Sequence, residues 1–289
     1  MDQTLRGGMS MRDRGELWAA VAALACVALV LALFMNVHTE GESEPATALP
    51  EPIEGPDTSD ADRNPDESEG PSPSYYWGID TASVMDESFY ACVQENFGEP
   101  VYAGRYLETK QGVSYGLTPE EVAFLHNQGI RIIPIYNHFT DATTYDAGVT
   151  EAREAISYAE QIGVKEGTYI FADIEPNYPV DQHFLQGWSE TIAASAYRPG
   201  IYGVFVEASD SEVLASYMSF SEAYPELAEQ TAVWTSDVSV GITTKAEAPA
   251  FEPEARNMLE VSIWQYGIDA EACNIDTNLM KAEMMDYLW

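Results

Sequence analysis

The hydrophobic positions of the chain fall into three zones. Residues 17–35 form an apolar run without a charged side chain, residues 39–74 lack Phe, Trp, Tyr and Cys, and aromatic residues return at Tyr75. From there to the end, short apolar runs typical of strands alternate with longer amphipathic segments typical of helices. The pattern therefore predicts an apolar span, a non-globular connection and a folded domain over residues 75–289.

Within residues 75–289 the alternation predicts a series of βα units, whose strands pair in parallel. Because a dinucleotide glycine fingerprint and a phosphate-loop lysine motif are both missing, we expect a TIM-like (β/α) barrel and not a nucleotide-binding sheet. Helical patterns become scarce in the second half, so the barrel should be helix-poor there. The predicted strands are 76–81, 101–106, 131–136, 168–174, 199–204, 231–235 and 261–266. The predicted helices are 86–97, 118–129, 150–162, 181–195 and 209–220, and the segment 275–288 should end in a further short helix.

The first zone predicts a membrane anchor. Nineteen apolar residues (17–35) in a helix span roughly 28 Å, close to the hydrocarbon core of a bilayer. Arginines precede the run and acids follow it, so residues 1–16 should be cytoplasmic, 17–37 the anchor, and the rest extracellular in a single-pass cell-membrane protein. A cleaved signal peptide, or a lipoprotein modified at Cys26, is the alternative.

The second zone, residues 38–74, predicts a disordered linker. It holds seven prolines, and residues 40–71 carry eleven acidic side chains and one basic side chain. Such a segment buries too little apolar area to offset its ordering entropy, and its charges repel each other. We expect an extended spacer that holds the domain away from the membrane.

Charge and cysteine content limit the partners. The chain has 48 acidic and 13 basic side chains and a net charge of −35, which excludes nucleic acid as a reasonable partner. Its three cysteines include no CxxC pair, so we expect no zinc site, no other metal and no cofactor. The expected assembly is a monomer.

The clearest chemical signal is the segment YIFADIEP at residues 169–176. Side chains two apart on a strand share a face, so Asp173 and Glu175 should point the same way. They follow the predicted fourth strand, at the end where (β/α) barrels place catalytic groups. Two neighbouring carboxyl groups separate their pKa values, and glycoside hydrolysis needs one acid and one charged partner. Solvated acids or a helix cap are the alternative.

Other strand ends supply further candidates. Asp80 ends the first strand and Asp276 lies in the closing segment, so the barrel would bring both to the same rim as the Asp-x-Glu pair. We predict a catalytic group of Asp80, Asp173, Glu175 and Asp276. The predicted substrate-binding residues are Tyr136, Asn137, Trp234, Gln265 and Tyr266. For the aromatic ones, ordinary packing in the core is the alternative.

Several motifs together resemble known glycoside-hydrolase families. GID-T-AS at residues 78–83, the DIE motif and the closing IWQY…NIDTN resemble glycoside hydrolase family 25, the lysozyme-type muramidases. GRYL (104–107), LTPEE (117–121) and YRPGIY (197–202) are more similar to a related group of glycoside-hydrolase-like proteins, domain of unknown function 1906. The likeness covers roughly residues 76–280.

The resemblance implies a flattened barrel whose last strands lack helices. It matches Glu175 to the family 25 proton donor and Asp173 to its partner acid, and Asp80 and Asp276 to the acids of the first and last motifs. Arg105, from the GRYL motif, joins the predicted substrate-binding residues. The first motif departs from the usual D-V-S, because Thr81 and Ala82 stand between Asp80 and Ser83.

Three functions follow as hypotheses. The first is a membrane-anchored glycosidase that acts on cell-wall glycan such as peptidoglycan, with Asp173 as a nucleophile or as the group that orients a substrate N-acetyl. The second is a carbohydrate-binding or wall-remodelling module with weak or no turnover. The third is a metal-dependent phosphodiesterase, since clustered acids attract hard cations.

The two cysteines of the folded domain predict a disulfide. Cys92 lies in the first predicted helix, and Cys273 follows the last predicted strand. The first and last elements of a closed barrel are neighbours, and an extracellular domain is in an oxidising compartment. We therefore expect Cys92 and Cys273 to be bonded, with two buried thiols as the alternative.

Overall fold

A computed structural model describes residues 74–289. The predicted cytoplasmic tail (1–16), the predicted anchor (17–37) and the predicted linker (38–74), apart from Ser74, lie outside the described residues. No helix among residues 74–289 combines the length and the apolar character that crossing a membrane requires.

The described residues form a closed eight-stranded α/β barrel with the strands in sequence order. Strands β1 to β7 run parallel, which confirms the predicted series of βα units. The strands are β1 (Tyr75–Asp80), β2 (Tyr102–Tyr106), β3 (Arg131–Tyr136), β4 (Tyr169–Asp173), β5 (Arg198–Gly203), β6 (Ala232–Ser236), β7 (Val261–Gly267) and β8 (Asp276–Lys281).

The barrel closes through an antiparallel strand that the sequence pattern does not predict. Strand β8 pairs antiparallel with both β7 and β1. Residues 275–288 were expected to end in a short helix, and they do end in a 3₁₀ helix, Ala282–Tyr287, but strand β8 precedes it. Since β8 runs against the others, its first residue, Asp276, lies at the rim formed by the carboxyl ends of the parallel strands.

Six α-helices follow the first five strands. They are α1 (Glu87–Asn96), α2 (Pro119–Asn127), α3 (Tyr145–Ile162), α4 (Gln182–Ala193), α5 (Val213–Ala223) and α6 (Pro225–Gln230). After β6 the described chain contains only 3₁₀ helices (Lys245–Glu247, Glu254–Asn257 and Ala282–Tyr287), so the helix-poor second half is confirmed.

Local sequence signals explain several helix ends. The Thr118 side chain accepts a hydrogen bond from the Glu121 main-chain nitrogen, and Pro119 occupies the first helical position of α2. Helix α3 ends at Gly163, whose φ of 84° suits a residue without a Cβ. The same helix begins at Tyr145, five residues before the predicted start at residue 150, because Thr144 caps it there.

The hydrophobic core has two layers. One fills the barrel interior and includes Ile133, Phe171, Trp234 and Met280. The larger layer lies between the barrel and its helices and includes Ile79, Trp188 and Tyr266. Since successive strand residues point to opposite faces, each strand position belongs to one layer only. This alternation decides which polar residues reach the interior of the barrel.

The predicted disulfide is present. Cys92 of α1 and Cys273 of the β7–β8 loop are bonded and have a Cα–Cα distance of 5.8 Å. The bridge ties an element that follows the first strand to the loop that precedes the last one, across 181 sequence positions.

Replacing both bridge cysteines by serine should lower the free energy of unfolding by about 4–5 kcal/mol, because the bridge restricts the unfolded chain over a very long loop. Urea denaturation of parent and variant measures the difference. Equal unfolding midpoints under non-reducing conditions would contradict this account. The thiol count of the unreduced parent is the control, and it should be zero for Cys92 and Cys273.

Candidate active site

Polar side chains replace apolar ones in the barrel interior at the rim that carries the carboxyl ends of β1 to β7. The register sets Asp80 opposite Asp276 across β1 and β8, and Asp173 beside Tyr202 across β4 and β5. These four residues are buried or half-buried. The strand pattern therefore brings acids from the first, fourth and eighth strands together.

A cavity of about 600 Å³ opens at this rim. All four acids predicted as catalytic line it, so the barrel does bring Asp80, Asp173, Glu175 and Asp276 to one place. The other lining residues are Tyr106, Ile135, Pro176, Tyr202, Val204, Val206, Ala208, Ser209, Trp234, Ser236, Asp237, Val238, Ser239, Ile268 and Asp269.

One amide holds two of the acids. The Nε2 atom of Gln265 donates to the Oδ2 atoms of Asp80 (3.0 Å) and Asp276 (3.2 Å). Its Oε1 atom accepts the hydroxyls of Tyr202 (2.8 Å) and Ser236 (2.7 Å), which fixes the orientation of the amide. Gln265 therefore contacts both carboxyl groups, and its predicted part in substrate binding stays a prediction.

Asp173 lines the cavity and has only 1% of its surface exposed. Its Oδ2 atom accepts hydrogen bonds from the Tyr106 hydroxyl and the Asn137 side-chain amide, both at 3.2 Å. Its Oδ1 atom is buried without a hydrogen-bond partner among the described residues. Burial, followed by repulsion from Glu175, raises the pKa of Asp173 well above its usual value.

Glu175 occupies a more open position than Asp173. It follows β4 by two residues and is half-buried in the cavity wall. Burial raises the pKa of its carboxyl, and the positive field of Lys110 opposes that rise. From the sequence, Glu175 was expected to be protonated beside a charged Asp173. In the structure burial raises the pKa of both, and more strongly that of the deeper Asp173.

Burial also favours the protonated forms of the two remaining acids. It raises the pKa of Asp80 to about 6, although hydrogen bonds from Asn278 and Gln265 act in the opposite direction. Burial, followed by repulsion from Asp80, raises the pKa of Asp276 to about 8. Both values exceed the 3.8 of an ordinary aspartate.

These two raised pKa values predict that the protein is less stable at high pH. Between pH 4 and pH 8 the folded chain binds protons that the unfolded chain has released, so this stabilisation is complete at low pH and is lost as the pH rises through 6 and 8. For Asp80, two pKa units correspond to about 3 kcal/mol. The melting temperature should therefore fall between pH 5 and pH 8.

Asp276→Asn should flatten the fall in melting temperature between pH 6 and pH 8, because the amide does not titrate. Glu166→Gln, which removes an exposed acid from the turn before β4, is the matched control and should leave the slope unchanged. A melting temperature that rises towards pH 8 in the parent would contradict the prediction.

Trp234 forms part of the cavity floor and is fully buried. Its Nε1 atom donates to Asn278 Oδ1 at 2.9 Å, and its ring makes edge contacts with Phe171 and Tyr202. A Cβ on Gly104 would lie 2.7 Å from this ring, so the glycine makes room for it. Trp234 thus lines the cavity, but its ring is packed against other side chains and is fully buried.

Arg105 does not reach the cavity, and the expectation of its position is corrected. It follows Gly104, so its side chain points to the outer face of β2 and is fully buried. Its Nε atom donates to Glu121 Oε1 at 2.7 Å, and its Nη atoms donate to the carbonyls of Thr81 and Tyr115. These contacts make it a buried support for the β1–α1 and β2–α2 loops.

Tyr136 and Tyr266 also lie on the outer face of the barrel and not at the cavity. The Tyr136 hydroxyl donates to Glu151 of α3 at 2.6 Å, and the Tyr266 hydroxyl accepts from Trp77 Nε1 at 2.9 Å. Their inward neighbours at the adjacent positions, Asn137 and Gln265, are the residues that contact the acids.

Three residues of the hydrogen-bond network around the acids were not among the predicted site residues. Tyr106 contacts Asp173, Tyr202 contacts Gln265, and the Asn278 side-chain nitrogen donates to Asp80 Oδ2 at 2.6 Å. The i, i+2 spacing from Asp276 would have pointed to Asn278, because both share one face of β8.

Metal binding receives no geometric support within residues 74–289, where no group of three or more His, Cys, Asp or Glu side chains is arranged to hold a metal ion.

The site and the fold define a glycoside-hydrolase-like barrel. The model of the Rv2525c-like, glycoside hydrolase-like domain family matches residues 100–280, and the chain belongs to this family. The resemblance found in the sequence is thereby confirmed. The match includes Asp173, Glu175 and Asp276, and it begins after Asp80.

Several solved structures are similar to this chain. An uncharacterised protein of B. stearothermophilus is 34% identical, with a TM-score of 0.71 over 74% of this chain and 100% of that chain. The Tat-secreted protein Rv2525c of Mycobacterium tuberculosis, in complex with L-tartrate, is 15% identical, with a TM-score of 0.48 over 72% of this chain and 97% of that chain. The spore cortex lytic enzyme SleM of Clostridium perfringens is 14% identical, with a TM-score of 0.49 over 76% of this chain and 71% of that chain. No curated protein matches the chain.

Proposed function

We propose that residues 75–289 hydrolyse a glycosidic bond in a bacterial cell-wall glycan, with Glu175 as the acid. The observation that carries the proposal is the arrangement of the Asp-x-Glu pair. Glu175 is half-buried and lines an open cavity of about 600 Å³ together with the buried Asp173. Family membership adds support for a glycan as the ligand.

Glu175 has the position and the titration that a proton donor needs. A general acid works best when its pKa lies near the working pH, and burial raises the pKa of Glu175 towards that range. The carboxyl faces the cavity, so a glycosidic oxygen bound there comes within its reach. As the glycosidic C–O bond breaks, the proton moves from Glu175 to the leaving oxygen. A water molecule then forms the new bond to the sugar carbon and gives a proton back to the Glu175 carboxylate.

Asp173 is suited to stabilise the positive charge that develops on the sugar. Tyr106 and Asn137 hold one carboxyl oxygen and leave Oδ1 without a partner. A cation forming nearby favours the ionised carboxylate, so the interaction strengthens towards the transition state. Asp80, which Gln265 holds from strand β7, adds negative potential from the opposite side of the barrel when its carboxyl is ionised.

We also propose that residues 17–37 anchor the chain in the cell membrane, with the barrel domain outside and residues 38–74 as the spacer. The apolar run, the preceding arginines and the acidic segment that follows support this placement. Protease added to intact cells should release a soluble fragment by cutting between residues 39 and 74. A protein found wholly in the medium and beginning near residue 40 would indicate a cleaved signal peptide instead.

The proposed activity is tested by incubating the protein with purified peptidoglycan and assaying new reducing ends. Hydrolysis should release them, and the chelator EDTA should not stop it. Binding to the glycan without new reducing ends would identify a carbohydrate-binding module. Activity that is lost in EDTA would support the metal-dependent alternative.

A further inference from the structure

Lys110 joins three of the loops at the rim that carries the site. It lies in the β2–α2 loop. Its Nζ atom donates to the carbonyls of Asn137 (2.6 Å) and Phe139 (3.1 Å) in the β3–α3 loop and to the Tyr178 hydroxyl (3.2 Å) in the β4–α4 loop. These contacts use all three ammonium donors. The half-buried side chain is therefore fixed by the loops that it connects.

One of these contacts leads to Asp173. Asn137 is fully buried, and its side-chain amide donates to Asp173 Oδ2 at 3.2 Å. The β2–α2 loop holds the main chain of Asn137 from both sides, because the nitrogen donates to Glu108 Oε1 at 3.3 Å and the carbonyl accepts from Lys110. The direction in which Asn137 presents its amide to Asp173 therefore depends on this loop.

A second contact leads to Glu175. The main-chain nitrogen of Tyr178 donates to the Glu175 carbonyl at 3.0 Å, so these two residues close one turn. The Tyr178 hydroxyl accepts from Lys110, and the ammonium nitrogen lies 5.6 Å from the centre of the Tyr178 ring. The turn that carries Glu175 is therefore tied to the same ammonium group as Asn137.

The charge of Lys110 is not cancelled by an ion pair within residues 74–289. Its three acceptors are neutral oxygens. Burial raises the pKa of Glu175 and the field of Lys110 lowers it, so the ammonium group favours the carboxylate that Glu175 becomes after giving up its proton. The other titratable groups of the described chain that line the cavity with Glu175 are carboxyls and phenols, namely Asp80, Tyr106, Asp173, Tyr202, Asp237, Asp269 and Asp276.

We propose that Lys110 is a positioning residue of this site, whose ammonium group holds both members of the Asp-x-Glu pair in place through Asn137 and Tyr178. This role rests on the proposed hydrolysis. Lys110 does not line the cavity and its donors are all used, so it acts on the reaction through other residues. It fixes the geometry of the pair and weakens the hold of Glu175 on its proton.

The test compares two variants of the full-length protein. Lys110→Met removes the charge and the three donors, whereas Lys110→Arg keeps a charge and donors. Lys110→Met should lower the initial rate of reducing-end formation by roughly ten- to a hundredfold, because small displacements of catalytic groups have effects of this size. Lys110→Arg should recover part of the rate. Lys165→Met, which removes an exposed lysine at the opposite end of the barrel, is the matched control and should retain the parent rate.

The pH dependence separates this role from a purely structural one. Without the positive charge Glu175 keeps its proton to a higher pH, so the basic limb of the rate profile should move to higher pH in Lys110→Met and stay in place in Lys165→Met. The titration midpoint of the Glu175 carboxyl, followed by carbon-13 NMR and assigned with Glu175→Gln, should rise as well. If Lys110→Met does not fold, Lys110→Gln provides the same measurement, because its amide still donates hydrogen bonds but carries no charge.

A double-mutant cycle tests the route through Asn137. Asn137→Ala removes the amide that Lys110 holds against Asp173. In that background Lys110→Met should lower the rate by a smaller factor than in the parent, since part of its effect passes through the missing amide. Losses that simply multiply would show that Lys110 does not act through Asn137.

Failure of this inference and failure of the proposed function give different results. If the parent releases no reducing ends but the Glu175 midpoint rises in Lys110→Met, hydrolysis is wrong and the link between Lys110 and Glu175 stands. If the parent hydrolyses glycan and the loss of the Lys110 charge leaves both the basic limb and the midpoint unchanged, Lys110 is not a positioning residue. A loss of rate no larger than the loss of folded protein in melting curves would also overturn the inference.

Discussion

Glu175→Gln should lower the rate of glycan hydrolysis by about 10²–10⁴-fold while the protein remains folded and continues to bind glycan. A positioned general acid contributes a rate factor of this size, and glutamine keeps the shape of the side chain without a proton to donate. The carboxyl is half-buried and lines the cavity, so its neutral isostere fits the same space. Initial rates of reducing-end formation, together with thermal melting curves, measure both effects.

The matched control for this variant is Glu166→Gln, the same chemical change at the opposite end of the barrel, which should retain the parent rate. Full hydrolysis by Glu175→Gln would remove Glu175 as the acid. Asp80→Asn and Asp276→Asn should each reduce the rate without unfolding the domain. If both retained the parent rate, the four converging acids would not act as one site.

Arg105→Met should lower the free energy of unfolding by about 3–5 kcal/mol, because it leaves the buried Glu121 carboxylate without its partner. The two side chains are 0% and 1% exposed, and the Nε–Oε1 distance is 2.7 Å. The variant also removes donors from the carbonyls of Thr81 and Tyr115. Denaturant unfolding measures the loss of stability. Any loss of activity should be no larger than the loss of folded protein explains.

The double variant Arg105→Met/Glu121→Gln should recover part of the stability, because glutamine carries no charge and still accepts a hydrogen bond from the Met85 main-chain nitrogen, as Glu121 does. Arg256→Met is the control. Its ion pair with Glu252 is exposed and 3.5 Å long, so its loss should change stability by less than about 1 kcal/mol. If Arg105→Met lost glycan binding at unchanged stability, Arg105 would be a substrate-binding residue after all.

The sequence predicted the acids of the site more reliably than their neighbours. Asp173 and Glu175 are separated by two positions, so a single statement about strand geometry places both on one face. Tyr136 and Tyr266 stood equally close to strand ends, but they occupy the opposite face, as Asn137 and Gln265 beside them show. A position near a strand end therefore predicts that a residue lies at the rim of the barrel. Whether its side chain points into the cavity depends on which face of the strand it occupies, which alternates from one residue to the next.

Contacts between residues far apart in the sequence could be predicted only where the topology of the barrel required them. The Cys92–Cys273 bridge follows from the closure of a barrel, which makes its first and last elements neighbours. The antiparallel direction of β8 does not follow from any local pattern in residues 275–288. The role of Arg105 depends on Glu121 and on two loop carbonyls, which are contacts that no periodicity reveals.

The network around Asp80 has a consequence for how the protein acquires its activity during folding. Asp80 receives its hydrogen bonds from Gln265 and Asn278, which follow it by 185 and 198 positions. Contacts of such separation form late and slowly, since a long loop must close before they add stability. A nascent or partly folded chain that lacks β8 has no assembled site. Ligand binding should therefore appear in the last kinetic phase of refolding. A wall-degrading activity would be absent until the first and last strands have paired.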